Sequence, residues 1–231
     1  MISVCMAVKN GAAYVEEQVA SILCQLEPQD ELVVSDDHSS DSTVEIIAKF
    51  RDSRIKVFTS VGQGLVSNFE QALSRSTGDF IFLADQDDVW HPEKLKIMLP
   101  YLEEYDLAVC DCLLVSPELN VLSNSFFEMN GSGKGFIKNL ISNSYMGCCM
   151  GFRRRILGRA LPFPGNEVLH DFWIGMIGEA HFKTVFLKKP LVSHRLHASN
   201  ASTSGRRSRT SPIRRVSQRY QLVRNLISRS L

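Results

Sequence analysis

At 231 residues the chain is long enough for one large hydrophobic core or two small ones. Its 44% apolar content and mixed charge exclude a disordered or low-complexity chain, and no apolar stretch reaches the length of a bilayer-spanning helix. The formal net charge of +1 hides a division: all 25 Asp and Glu lie between Glu16 and Glu179, which leaves the first 179 positions at −11 and the rest at +12. That asymmetry assigns the C-terminus a separate surface task.

The opening Met1-Ile2-Ser3-Val4 reads as a strand without the basic region of a signal peptide, so a cytoplasmic setting is expected. Six cysteines (Cys5, Cys24, Cys110, Cys112, Cys148, Cys149) show no C-x-x-C pair, and several sit in apolar runs. They predict buried free thiols rather than disulfides or a zinc site.

In chain order, Ile2 to Val8 is a buried-strand run closed by the turn Lys9-Asn10-Gly11. Tyr14 to Leu26 carries apolar residues at helical spacing, and Pro28 ends it. Glu31 to Ser35 is a second strand running into Asp36-Asp37-His38-Ser39-Ser40-Asp41, where Ser40 or Asp41 can cap a helix reaching Phe50. Ile55 to Phe58 is a third strand, Gly62-Gln63-Gly64 a loop, and Leu65 to Ser74 a helix. A fourth strand, Phe80 to Ala84, runs into Asp85-Gln86-Asp87-Asp88-Val89-Trp90, and a helix starts near Pro92. Repeated strand–helix alternation predicts an α/β domain with an open, mainly parallel sheet and helices on both faces.

Beyond residue 104 the pattern is less regular. Asp106 to Val115 reads as a strand, Pro117 to Asn120 as a turn into a short one, and Asn130 to Gly135 as a flexible loop. Phe136 to Ile141 reads as a helix, and Gly147 to Phe152 as a small-residue strand. His170 to about Ala180 is a helix with Asp171 at its positive end. Val185 to Leu187 and Leu191 to His194 complete the core. No internal repeat is present.

Three carboxylates within four residues (Asp85, Asp87, Asp88) repel one another unless a cation sits among them. Oxygen donors of this kind suit Mg²⁺ or Mn²⁺ shared with phosphate oxygens, and strand ends in open α/β sheets are where nucleotides bind. The bland alternative is a solvated acidic turn. No G-x-G-x-x-G follows the first strand, which argues against ordinary NAD binding.

The ordered set Asn10-Gly11, Val34 to Asp41, Gly64 with Asn68-Phe69, Ala84 to Trp90, His170-Asp171-Phe172-Trp173 and Arg195-Leu196-His197-Ala198-Ser199-Asn200 resembles family 2 of the glycosyltransferases, most closely its rhamnosyltransferase-like bacterial branch. The resemblance spans residues 2 to about 202. It departs at His38, where the family commonly has Gly, and at His194, where a Tyr is usual before the Arg.

The resemblance implies a GT-A fold over 1–204, with a nucleotide-binding half (1–104) and an acceptor-binding half (105–204). It implies nucleotide contacts from Val8, Asn10, Asp36, Asp37, Gly64, Asn68, Asp85 and Gln86. A Mn²⁺ or Mg²⁺ site is implied at Asp85, Asp87 and His197, with Asp171 as general base. Asp88, Trp90, His170 and Trp173 fall on the sugar and acceptor side. The implied reaction is inverting transfer from a nucleotide-diphosphate donor, dTDP-rhamnose or a UDP-sugar, to a glycan or lipid-linked glycan of the bacterial envelope. Capping alone is the competing role of Asp36, Asp37 and Asp171. A haloacid-dehalogenase-like phosphatase also uses D-x-D, but its nucleophile ends the first strand, where this chain has Lys9-Asn10-Gly11. An inactive nucleotide-sugar-binding scaffold of the same fold is the non-enzymatic alternative.

Residues 205–231 hold eight arginines and no acid. Ser202 to Gly205 reads as a linker, and Val216, Tyr220, Val223, Leu226, Ile227 and Leu231 recur at helical spacing. Such a basic amphipathic helix suits an anionic membrane surface, the acidic domain itself or a second copy of the chain, and makes little case for nucleic acid.

Overall fold

The computed structural model describes residues 1–165, 167–197 and 212–229. The first half alternates as read: β1 (Ile2–Val8), α1 (Val15–Leu23), β2 (Glu31–Asp36), α2 (Thr43–Ala48), β3 (Ile55–Thr59), α3 (Leu65–Arg75) and β4 (Phe80–Asp85). β1 lies between β2 and β4, parallel to both, with β3 outside β2. β1, β2 and the middle of β4 are buried on both faces, which is why they read as continuous apolar runs.

The second half consists of β5 (Val89–Trp90), α4 (Lys94–Glu104), β6 (Leu107–Val115), β7 (Val121–Ser123), α5 (Phe126–Asn130) and α6 (Phe136–Ile141). There follow a 3₁₀ turn at Gly147–Cys149, β8 (Met150–Arg153), α7 (Leu157–Ala160), α8 (His170–His181), β9 (Thr184–Arg195) and α9 (Pro212–Ser228). The sheet order is β3-β2-β1-β4-β8-β6-β9-β5, with β7 on β6.

The expectation of a mainly parallel sheet therefore holds for the first half and needs correcting for the second. β8 runs antiparallel between β4 and β6, and β5 and β7 also pair antiparallel. The two strands read separately at 185–187 and 191–194 are one, β9, parallel to β6 with register shifts at Asp111. The small-residue strand expected over 147–152 splits into a turn and β8.

This reversal positions the site. Two antiparallel steps bring β6 and β9 back parallel to β4, so the ends of β1, β2, β4, β6 and β9 share one edge. The start of β8, with the turn before it, lies on that same edge. Gly151 permits the β4–β8 contact: a Cβ there would come within 2.5 Å of the Phe82 ring.

Candidate active site

The ends of β1 and β2 form the first wall. Asp37 is buried; its Oδ2 accepts from Lys9 Nζ at 2.9 Å and from the Gly64 amide at 3.1 Å. Burial opposes its charge, but these two donors prevail and hold the carboxyl below its ordinary value. Gly64 makes its contact at φ 88°, a conformation natural to glycine. Asp37 Oδ1 and Asn68 Oδ1 are buried with no hydrogen-bond partner among the described residues, so acceptors point into this wall.

Other residues expected near the nucleotide serve as loop clamps. Val8 O accepts from Asn68 Nδ2 and from the Asp37 amide. Asn10 Oδ1 accepts from the Ser40 amide, and Asp36 accepts from the Ser39 amide. Gln86 bonds both backbone groups of Lys9, at 2.8 and 3.0 Å, and so ties the D-x-D loop to the β1 turn. His38 sits at φ 56°, in the left-handed region that favours glycine.

The second wall is the D-x-D loop. The Asp85 carboxyl lies half-buried and Asp87 buried. Burial first, then the charges of Asp88 and Asp87, push Asp85 well above the ordinary carboxylate range. Burial and Asp88 also raise Asp87, against the pull of His194 and His197. His197 Nε2 lies 2.9 Å from Asp87 Oδ2 and its ring stacks on Tyr14 at 4.9 Å. The crowding of negative charge fits a divalent cation, and two carboxylates with an imidazole are an acceptable donor set for Mn²⁺ and, less well, Mg²⁺. Of the expected set the structure brings Asp87 and His197 into contact, whereas among the described residues Asp85 groups with Asp88, Cys148 and His194.

Asp88 is fully buried and bonds internally: His194 Nδ1 is 2.9 Å from its Oδ1, and the Arg195 amide donates to the same oxygen at 3.0 Å. Burial works against both charges of this pair, but their mutual attraction keeps the Asp88 carboxyl low and raises the His194 imidazole well above its usual value. The sugar contact expected of Asp88 is thus replaced by a structural ion pair with the residue noted as a family departure. Arg195, also buried, donates from Nε to Asp87 O at 2.8 Å, reaches Pro117 O and Glu17, and lies over the Tyr14 ring. It locks the metal loop to α1 and β9.

The third wall is the start of α8. Asp171 accepts from the Phe172 amide at 2.6 Å and from the Gly147 amide, where the expected helix-end position and the turn before β8 meet. Burial raises its carboxyl to about 6 despite these bonds. Asp171 lies close enough to Asp85 that its charge adds to the upward push on the Asp85 carboxyl. His170 is buried, stacks on Phe69 at 3.8 Å and is pushed down to about 3 by burial, so it is neutral.

Neither tryptophan lines the cleft. Trp173 is fully buried and donates from Nε1 to Ala160 O at 2.8 Å. Trp90 is 2% exposed, with Lys94 Nζ 3.8 Å from its ring centre. Their acceptor-side assignment gives way to core packing, the default for a large ring beside a helix. Sequence reasoning overlooked Lys9, Lys94 and the Arg195–Glu17 clamp. Lys9 alone was signalled, by adjacency to Asn10-Gly11. A surface hollow of about 520 Å³ lined by Asp106, Arg155, Glu179 and Lys183 lies at the opposite ends of β6 and β9 and holds none of these groups.

In α9, Leu222 and Leu226 are buried, and Gln218 Nε2 donates to Glu167 O. Arg229 donates to Leu161 O and Pro162 O, and Arg219 lies 4.1 Å over the Phe172 ring. The inward face is thus centred on Leu222, while Tyr220 and Ile227, read as part of the apolar side, are exposed. Ala198-Ser199-Asn200, the 202–205 linker and Leu231 lie outside the described residues.

Known proteins share this fold and sequence pattern. The chain is 24% identical to the UDP-Glc:alpha-D-GlcNAc-diphosphoundecaprenol beta-1,3-glucosyltransferase WfgD of Escherichia coli, over 88% of this chain and 80% of that protein. It is 25% identical to the dTDP-rhamnosyl transferase RfbG of Shigella flexneri, over 84% and 72%. S. aureus TarS 1-349 in complex with UDP-GlcNAc superposes with a TM-score of 0.75 at 19% identity, covering 99% of this chain and 66% of that one. Glucosyl-3-phosphoglycerate synthase from Mycobacterium tuberculosis, solved with Mn²⁺ and UDP, gives 0.62 at 18%, over 99% and 79%. The chain thus has the GT-A fold of these enzymes and spans just under two thirds of the TarS chain. A sequence model described as Glycosyl transferase family 2 matches residues 3–161, and with the strand-end carboxylates in place the chain belongs to that family of glycosyltransferases.

Proposed function

We propose that this chain moves a sugar from a nucleoside-diphosphate donor to a glycan or lipid-linked glycan acceptor, with inversion, in bacterial surface-polysaccharide synthesis. The observation that carries the reading is Asp171, a carboxyl raised to about 6 by burial and near enough to Asp85 for its charge to act on that carboxyl. A general base works best with a pKa near the working pH, and this group is largely ionised at pH 7 yet basic enough to take a proton.

Asp37, with its free Oδ1, and Asn68 accept from the N–H groups or hydroxyls of the base and ribose, while Gly64 and Lys9 hold Asp37 in place. Asp85, Asp87 and His197 would hold a Mn²⁺ or Mg²⁺ ion, which when bound supplies the Lewis acidity that neutralises the departing diphosphate. Asp171 takes the proton of the acceptor hydroxyl as its oxygen attacks the anomeric carbon from the face opposite the diphosphate. The relatives named for dTDP-rhamnosyl and UDP-glucosyl transfer support these two donor classes, and WfgD's printed acceptor supports a lipid diphosphate. No described helix is long and apolar enough to cross a membrane. The inward face of α9 is packed on the domain, and its exposed Tyr220, Arg224 and Ile227 are the side chains proposed to meet an anionic lipid surface.

Calorimetry with UDP, dTDP, GDP and CMP, each with Mn²⁺, Mg²⁺ or EDTA, tests the reading. One nucleoside diphosphate is expected to bind only with metal, and to lose binding in Asp87→Ala. Absence of binding under every condition would return Asp85 to Asp88 to an acidic turn.

A further inference from the structure

Behind the cleft, the D-x-D loop meets a second set of donors. One donor atom each from Asp85, Asp88, Cys148 and His194 lies within 4.8 Å of the others. Asp88 and Cys148 are fully buried and His194 is 2% exposed. The set converges on one ring nitrogen: His194 Nδ1 is 2.9 Å from Asp88 Oδ1 and 3.9 Å from Cys148 Sγ. Asp88 Oδ2 is buried with no hydrogen-bond partner among the described residues, a costly arrangement for a carboxylate.

The backbone around these groups is braced. Lys94, itself fully buried, donates from Nζ to Cys148 O at 2.6 Å, which fixes the turn that carries the thiol. The Arg195 amide fixes Asp88 from the other side.

We propose that Asp88, Cys148 and His194, with Asp85 on the open side, form a second cation site that takes a zinc-class ion in preference to Mn²⁺ or Mg²⁺. Thiolate and imidazole are the donors zinc selects, whereas the harder ions favour the carboxylates and phosphate oxygens of the cleft. Zinc also binds N, O and S donors more tightly than manganese does. The cation takes the place of the proton now shared by His194 Nδ1 and Asp88, and displaces the thiol proton of Cys148, so binding releases protons to solvent. Donor atoms around tetrahedral zinc lie roughly 3.3–3.7 Å apart, so the His194–Asp88 pair opens by about half an ångström while the outer donors draw in by about 1 Å, within reach of side-chain rotation at Cys148 and Asp85. Two carboxylates and a thiolate leave a net −1 around the ion, and the buried Lys94 ammonium offsets it. Both cation sites draw on Asp85. Loading the second therefore weakens nucleotide binding in the cleft, a consequence that rests on the transferase reading; the binding of zinc does not.

The test uses the full chain with the exposed Cys24 changed to serine, stripped with EDTA and given one equivalent of Zn²⁺. X-ray absorption is expected to show one sulfur at about 2.3 Å and the remaining ligands, nitrogen or oxygen, at about 2.0–2.2 Å. No sulfur would put the ion in the cleft, and two or more would put it among Cys110, Cys112 and Cys149; either result overturns the proposal. Cys148→Ser and Cys148→Ala, checked for native circular dichroism, are expected to weaken Zn²⁺ at least the about 10–100-fold that loss of an outer-shell partner costs. Mn²⁺ affinity should stay unchanged. Undiminished Zn²⁺ affinity in both folded variants would overturn the site. Should no nucleotide bind under any condition, the transferase reading fails while the absorption spectrum still decides this one.

Discussion

The two halves of the domain build their share of the site differently. In the first, neighbouring parallel strands deliver Val8, Asp36 and Asp85 at matching register, with Val8 opposite Asp36 and Ala7 opposite Asp85. The polar groups are then fixed by short loops at the ends of these strands, as Lys9 and Gly64 fix Asp37. In the second, three segments far apart in sequence must meet: the turn at 147–149, the start of α8 and the end of β9. They meet because β8 reverses direction. The first half thus builds the proposed donor wall from groups held by short loops beside one another. The second holds Asp171, the proposed base, through the Phe172 and Gly147 amides.

The sharpest break of this comparison is Asp171→Asn. Turnover should fall about 10²–10⁴-fold, the usual worth of a general base, while donor affinity by calorimetry stays unchanged. Wild-type kcat should fall as pH drops through about 6, in step with one proton, and a profile flat to pH 5 would remove Asp171 from the proton transfer. The sign for stability is opposite. A carboxyl raised by burial binds its proton more tightly folded than unfolded, so its contribution is present below the unfolded value and lost as pH rises through about 6. Asp171→Asn should therefore be the more stable protein at pH 8, by up to about 3 kcal/mol in urea melts.

Next comes Leu222→Ala, which asks whether α9 belongs to the acceptor half. Loss of about 2–4 kcal/mol in urea unfolding is expected for a buried leucine, and a loss under about 0.5 would mean that the helix is not docked. In the donor wall, Asp37→Ala should weaken nucleoside-diphosphate binding about 10–100-fold, the worth of charged hydrogen bonds, and leave kcat nearly intact. An equal loss in kcat would show that the two halves are coupled. The smallest effect is His38→Gly: relieving a left-handed histidine should gain about 0.5–1 kcal/mol of thermal stability, net of glycine's added freedom.

How much of this was legible depended on distance along the chain. The strand-end position of Asp85 and Asp87 was legible because a short apolar strand stops in a carboxylate run, and the helix-start position of Asp171 from the local pattern, while its proposed role as base came only from the family resemblance. Trp90, Trp173 and Asp88 misled for the opposite reason. Their neighbours in sequence are the proposed site residues, while their own side chains turn toward Lys94, Ala160 and His194.

The sequence by itself determined the strand–helix alternation of the first half, the carboxylates at the strand ends and the charge division of the chain, since each is a pattern of a few adjacent residues. Tertiary structure alone decided that Asp88 pairs with His194, 106 positions away, that β8 runs backwards and that α9 turns Leu222 inward. The physical reason is burial. A side chain becomes internal only when a distant segment covers it, and which segment does so is fixed by sheet register and helix packing rather than by local composition.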